Sequence, residues 1–353
     1  MSSNSHMKNN NFTLLHYLCA ILVIFGHEFA IVGQTGRNPL MFGKISANSF
    51  GVCALFAISG YLVVGSFFRS KSIFEYFLKR IKRLFPPLLL TLFITTTVIL
   101  LYYQRFSHSD IVSARYYIVH NFFLHCINNF ADVFYDNYFQ YSVNASLWSL
   151  LSEFVCYILL IPLCLIHKLT KRVTNLRWIH VAVWLLEIVV VLLVFKKVQV
   201  LGLDNKLYFL HADLEVMICF FVGCTINILK LEKYLTIQFV GFICLLAYCL
   251  GGIIPYIIFY DVVICIAIIA LGNAASICKM PENNIYYEMY LYAWPIQQLI
   301  YNIICVKFGL NLHVVFMFIL SLVVIILMAK TSNILLNYLS KRFDIIIKRT
   351  KKQ

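Results

Sequence analysis

Long apolar runs separated by short charged or turn-rich connections organise this chain. Ten runs can be read, at roughly 12–34, 50–68, 86–104, 144–166, 178–195, 207–228, 236–253, 256–276, 286–306 and 312–331. Most reach the length of a helix crossing a bilayer. Inside hydrocarbon every backbone polar group must be satisfied within its own segment, so such runs predict helices rather than isolated strands. The expected fold class is all-α: a polytopic helical membrane protein with about ten transmembrane helices. Gly251, Gly252 and Pro255 make the break between the seventh and eighth runs the least defined. Residues 1–11 read as an N-terminal tail, in which 1–7 (MSSNSHM) resembles an expression scar, and residues 340–353 read as a basic tail.

Composition agrees with the pattern. The chain is 61% hydrophobic and only 12% charged, which excludes an ordinary soluble domain. An even number of spans puts both termini on one side. Lysine and arginine in alternate connections number 21 on that side and 8 on the other. Cytoplasmic connections carry the excess, so both termini are expected in the cytoplasm. The net charge of +14 then reflects topology and attraction to membrane lipid headgroups, and no nucleic-acid partner is expected. Twelve cysteines lie mostly inside apolar runs, without a CxxC pair, so neither a disulfide framework nor a metal is expected.

The candidate chemistry begins with His27 and Glu28, near the outer end of the first run. An ionisable pair inside a span is costly and faces a protein interior or wet cavity. It points to acid–base chemistry within the membrane. Residues 105–143 read as one long outer loop rich in Tyr, Phe, Asn and Asp, either a binding surface whose aromatics stack on sugar rings or an interfacial belt.

Four stretches then occur in order: LLHYLCAILVIFGHE at 14–28, FGVCALFAISGYLVVGSFFRS at 50–70, FLKRIKRLFPPLLL at 77–90 and VNASLWSLLSEFVCYILL at 143–160. A fifth, YYEMYLYAWPIQQ, follows at 286–298. Together they resemble the acyltransferase-3 family of integral membrane O-acyltransferases. The resemblance covers about Leu14 to Leu339, so residues 12–339 are expected to form one transmembrane acyltransferase domain. It implies transfer of an acyl group, usually acetyl, from cytoplasmic acetyl-CoA to a hydroxyl of a cell-surface or polyprenyl-linked saccharide, by a multi-pass protein of the cytoplasmic (inner) membrane. A homodimer is left open. The family's functional histidine falls on His27, its basic RxxR pair on Arg80 and Arg83, and its acid on Glu153. Two positions depart from the family pattern: His16 stands where an arginine is usual, and Ala293 where a histidine often precedes the aromatic–proline pair.

Helix geometry is compatible with these roles. His16 and His27 are eleven residues apart, about three turns, so they share a face and are separated by roughly 16 Å along the axis. Glu153 lies roughly 13 Å from the outer end of its span and His27 roughly 8 Å from the outer end of its own, within the error of the boundaries. A neutral imidazole can take the proton of an attacking hydroxyl, while a carboxylate orients it. Glu28 points about 100° away from His27 around the helix, so Glu153 is the better orienting candidate. A covalent acyl-histidine and direct transfer both stay open. Arg80 and Arg83 share one face and can clamp CoA phosphates, with Lys79 and His16 as further donor-side candidates. Trp148, Ser149 and Tyr61 are substrate-side candidates, against their alternatives as interface anchor and packing residues. Two other readings remain: a transporter of a glycan or lipid-linked intermediate, and a catalytically inactive relative.

Overall fold

The computed structural model describes residues 10–174, 176–200, 213–250, 257–278, 280 and 284–350. The N-terminal tail before residue 10 and the Gly251–Gly252–Pro255 break lie outside the described residues. Most of the remainder is helical: α1 Phe12–Ile31, α2 Ala47–Arg69, α3 Ile73–Tyr103, α4 His108–Phe122, α5 Trp148–Val173, α6 Arg177–Val200, α7 Leu214–Leu229, α8 Ile237–Cys249, α9 Ile257–Asn273, α10 Tyr286–Tyr301 and α11 Val314–Thr350. A minimal antiparallel hairpin, β1 Leu40–Met41 with β2 Ile45–Ser46, is the strand structure among the described residues.

Among the described residues, six helices are long and apolar enough to cross a membrane: α1, α2, α3, α5, α6 and α11. The other four expected runs fall on α7, α8, α9 and α10, which are shorter. α10 is prolonged by a π-helical turn, Asn302–Lys307. Two boundaries differ from the pattern of apolar residues. α3 begins at Ile73, so the basic LKRIKR stretch is its first turns rather than a loop. Ser72 caps it by accepting from the Glu75 amide, a signal that acts independently of hydropathy. The expected loop 105–143 contains α4, started by a capping box between Ser107 and Asp110. The Ser107 side chain and backbone hold the Asp110 carboxyl below its ordinary range.

The chain divides into two compact units. One comprises residues 1–22, 39–70 and 152–284; the other comprises residues 23–38, 71–151 and 285–353. In the first unit α2 and α7 meet backbone to backbone. A Cβ on Gly60 would lie 2.0 Å from the Phe220 carbonyl oxygen, and one on Gly223 would lie 2.1 Å from that of Ala57. Small residues permit such approach where helices cannot rely on a hydrophobic drive to associate. Asn227 then donates to the Tyr61 carbonyl at 2.8 Å. The end of α9 is capped by Asn11, whose amide nitrogen donates to the carbonyls of Leu271 and Ala275 at 3.1 and 3.0 Å.

In the second unit α10 packs against α11 and α3, and its polar groups are sealed inside. α3 contains Pro86 and Pro87, each lacking an amide donor, yet continues to Tyr103. The Tyr287 hydroxyl donates to the Leu84 carbonyl at 3.1 Å, beside the prolines. Neighbouring helices meet the polar needs of proline-containing spans in this way.

Candidate active site

The late motif at 286–298 is the polar axis of the second unit. Trp294 lies edge-to-face on the His27 ring, with centroids 5.0 Å apart at 76°. One turn on, Gln297 donates through Nε2 to the Glu28 carboxyl at 2.6 Å and to the Ile24 carbonyl at 2.8 Å. Glu28 and Gln297 are both fully buried. Thus α10 holds the two residues of the His27–Glu28 pair with two side chains, one packing and one hydrogen-bonding. The His27 Nδ1 atom is buried and has no hydrogen-bond partner among the described residues. Such an atom is costly unless function uses it.

At the other end of α10, Tyr286 accepts from Arg83 Nη2 at 3.2 Å. Arg80 lies over the Tyr76 ring, 5.9 Å from its centroid. Both arginines are half-buried, whereas Lys79 and Lys82 are exposed. Lys79 pairs with Glu75 one turn back, Nζ to Oε1 at 2.7 Å. Tyr286 and Trp294 are eight residues apart, so the Arg83 and His27 contacts fall roughly 12 Å apart along α10. The sequence pattern did not identify this shared anchorage, because Gln297 and Tyr286 look like ordinary polar residues in an aromatic-rich helix.

Glu153 belongs to the first unit. Its Oε1 accepts from the Ser59 hydroxyl at 3.2 Å and from the Tyr157 hydroxyl, and the two hydroxyl oxygens are themselves 3.2 Å apart. Glu153 remains half-buried, while Ser59 and Tyr157 are sealed. Tyr157 was not singled out in the sequence. Its position one turn after Glu153 was the available signal. His16 is buried on α1, where its Nδ1 meets the Phe12 carbonyl at 2.7 Å. A carbonyl only accepts, so this nitrogen carries the proton. Tyr61 donates to Asn273 at 3.1 Å and packs on Phe12, with centroids 5.3 Å apart.

The remaining substrate-side candidates divide. Ser149 is buried, with its hydroxyl 2.6 Å from that of Tyr290, and both reach the Ser146 carbonyl. Its visible work is to hold the start of α5 against α10. Trp148 is 38% exposed and stays available to a ligand or headgroup. The segment after α4 is unusual: Leu124, Cys126, Ala131, Asp132, Phe134 and Tyr141 all have positive φ. Non-glycine residues held there store strain, a pattern that clusters at binding sites. Asn121 braces the segment by bonding both the carbonyl and the amide of Ile127, at 2.9 and 2.8 Å. Asn137 and the Ser142 carbonyl tie it to Gln298 of α10. Burial pushes the Cys126 thiol in this segment up to about 11, so it is not a ready nucleophile.

These features define a multi-pass helical membrane protein in which α10 holds a buried histidine–acid pair and the half-buried Arg83. The acyltransferase domain family matches residues 9–330, and the chain belongs to that family, the acyltransferase-3 family. It is 26% identical over 310 residues to an O-acetyl transferase of Shigella phage Sf6, spanning 84% of this chain and 86% of that protein. It is also 35% identical over 94 residues to nodulation protein 10 of Rhizobium leguminosarum bv. viciae, spanning 26% of this chain and 25% of that protein. No solved structure matches the chain. The protein is therefore a membrane acyltransferase.

Proposed function

We propose that the protein moves an acetyl group from cytoplasmic acetyl-CoA to a hydroxyl of a cell-surface or lipid-linked glycan. The carrying observation is the anchorage of His27, Glu28 and Arg83 on α10, roughly 12 Å apart from the Arg83 to the His27 contact. Arg80 and Arg83 hold the CoA phosphates by charge-assisted bonds, with the thioester at the far end of the extended CoA arm. Residues 12–339 act as one transmembrane domain of ten spans in the inner membrane, with both termini cytoplasmic, as the 21 to 8 charge bias supports.

At the reacting end, neutral His27 takes the proton as the acceptor oxygen attacks the thioester carbonyl carbon. The carbon–sulfur bond then breaks, and the proton passes from the imidazolium to the leaving CoA sulfur. A carboxylate stabilises the imidazolium and fixes its tautomer. The family pattern gives that role to Glu153, whose Oε1 is held within its own unit by Ser59 and Tyr157. Glu28, committed to Gln297, instead fixes the rotation of α1. The strained aromatic segment 124–141 and Trp148 form the acceptor surface, stacking on sugar rings. His16 substitutes for the family arginine on the donor side.

The test is transfer of label from acetyl-CoA to a polysaccharide or polyprenyl-linked oligosaccharide by the purified, reconstituted protein. Label in ester linkage to the glycan is expected. Glycan translocation with no acyl transfer would favour a transporter and overturn the proposal. Acetyl-CoA binding without transfer to any glycan would point to an inactive relative.

A further inference from the structure

We propose that Cys53, Glu215 and Asp261 form a binding site for a divalent metal ion, with Zn²⁺ as the best match to the donors. None of these residues takes part in the acyl transfer described above. Cys53 is the seventh residue of α2, Glu215 the second of α7 and Asp261 the fifth of α9. Their ligand atoms lie within 4.8 Å of one another. The Cys53 sulfur is 3.6 Å from Asp261 Oδ1, matching the roughly 3.3–3.8 Å between two donors on one tetrahedral zinc.

The independent observation is the unmet polarity of Asp261. The residue is only 1% exposed; its carboxyl meets the Cys53 thiol and the Glu215 carboxyl, and its Oδ2 has no other hydrogen-bond partner among the described residues. Neither Asp261 nor Glu215 is paired with a lysine or arginine among those residues. Two carboxyls and a thiol held together without a cation are expensive in a low-dielectric setting. A bound cation relieves all three at once.

The donor set also selects among cations. A thiolate beside carboxylates disfavours Mg²⁺ and Ca²⁺, which prefer oxygen alone. Zinc accepts Cys and Asp or Glu, and three protein donors leave its fourth position for water. The Cys219 thiol abuts that of Cys53. Glu215 is half-buried and provides the route by which an ion enters. The helices are already fixed around the site by the Gly60 and Gly223 approach of α2 to α7 and by the Tyr61–Asn273 bond of α2 to α9. The ion would tie the first turns of three helices, a stabilising cross-link rather than a reaction centre.

The experiment uses the full-length protein in detergent, purified without chelator and dialysed against Zn²⁺, with metal per chain measured by mass spectrometry. About one zinc per chain is expected. Cys53→Ser and Asp261→Asn should weaken zinc binding at least about 100-fold, exceeding the usual effect of groups outside the ligand set. Cys244→Ser on α8 should retain it. If the ligand variants do not fold, Co²⁺ added to the wild-type protein decides. A sulfur-to-cobalt charge-transfer band with tetrahedral absorption is expected. Wild-type protein that binds neither Zn²⁺ nor Co²⁺, or variants that bind zinc as tightly as wild type, would overturn the site and leave a proton-sharing carboxyl pair in its place.

Discussion

Replacing Gln297 with leucine removes the hydrogen bonds by which α10 holds α1 beside His27. Two bonds are lost, to the Glu28 carboxyl at 2.6 Å and to the Ile24 carbonyl at 2.8 Å. Glu28 is fully buried, so water cannot replace the lost donor. An orphaned buried polar group costs about 1–3 kcal/mol, and the helical Ile24 carbonyl loses less, giving about 2–4 kcal/mol in all. α1 can recover part of this by rotating, which displaces His27 on the adjacent residue. A misplacement of about 1 Å at a reacting group costs on the order of 100-fold in rate. Arg83 and its Tyr286 contact are eleven residues, roughly 16 Å, further back along α10, so donor binding should survive. The assay is acetyl transfer as a function of acetyl-CoA concentration. The expected result is a kcat lowered by about 100-fold with the KM for acetyl-CoA within about twofold of wild type. The exchange Glu28→Gln with Gln297→Glu restores a donor opposite an acceptor and should recover much of the rate. An unchanged kcat in Gln297→Leu, in protein of normal monodispersity, would refute the reasoning.

Other predictions follow from the same contacts. Arg80→Ala and Arg83→Ala should each weaken acetyl-CoA binding by about 1.5–3 kcal/mol, measured by calorimetry, with lysine restoring only part because it lacks the bidentate fork. Glu153→Gln should reduce turnover by orders of magnitude with little change in donor affinity, whereas Tyr157→Phe, which removes one donor to Oε1, should do less. Gly60→Ala should prevent folding or halve the yield of monodisperse protein, since its Cβ would sit 2.0 Å from the Phe220 carbonyl oxygen. Normal behaviour of Gly60→Ala would contradict the close α2–α7 approach. An impermeant thiol reagent on intact cells should label a cysteine introduced at Ser109 but not one at Lys71, and the reverse pattern would invert the topology.

The helical character of the protein was legible because hydrocarbon leaves apolar runs few alternatives. Each of the ten expected runs carries a helix, yet within the described residues α7, α8, α9 and α10 are too short to count as crossings on length alone. Capping chemistry was legible too, but hydropathy hid it: Ser72 and Ser107 extended or created helices in stretches that read as loops. His27, Glu28, Arg80, Arg83 and Glu153 stood out as costly residue types in or beside apolar runs. What holds them did not. Trp294, Gln297, Tyr286 and Tyr157 act through contacts with residues more than 200 positions away, or one turn along a helix face, and neither appears in composition. Ser149, read as a substrate-side candidate, is buried with its hydroxyl against that of Tyr290, a contact 141 positions away that the sequence pattern did not signal. The Cys53–Glu215–Asp261 cluster was invisible because its members come from three separate helices with no characteristic spacing.

The most direct test of the account compares His27→Ala with wild type in one reconstituted preparation, measuring both acetyl-CoA binding and label transferred to glycan. Binding within about twofold of wild type is expected, because Arg80 and Arg83 are left in place, together with loss of at least about 100-fold in transfer as the general base disappears. Transfer at the wild-type rate by His27→Ala would contradict the central claim.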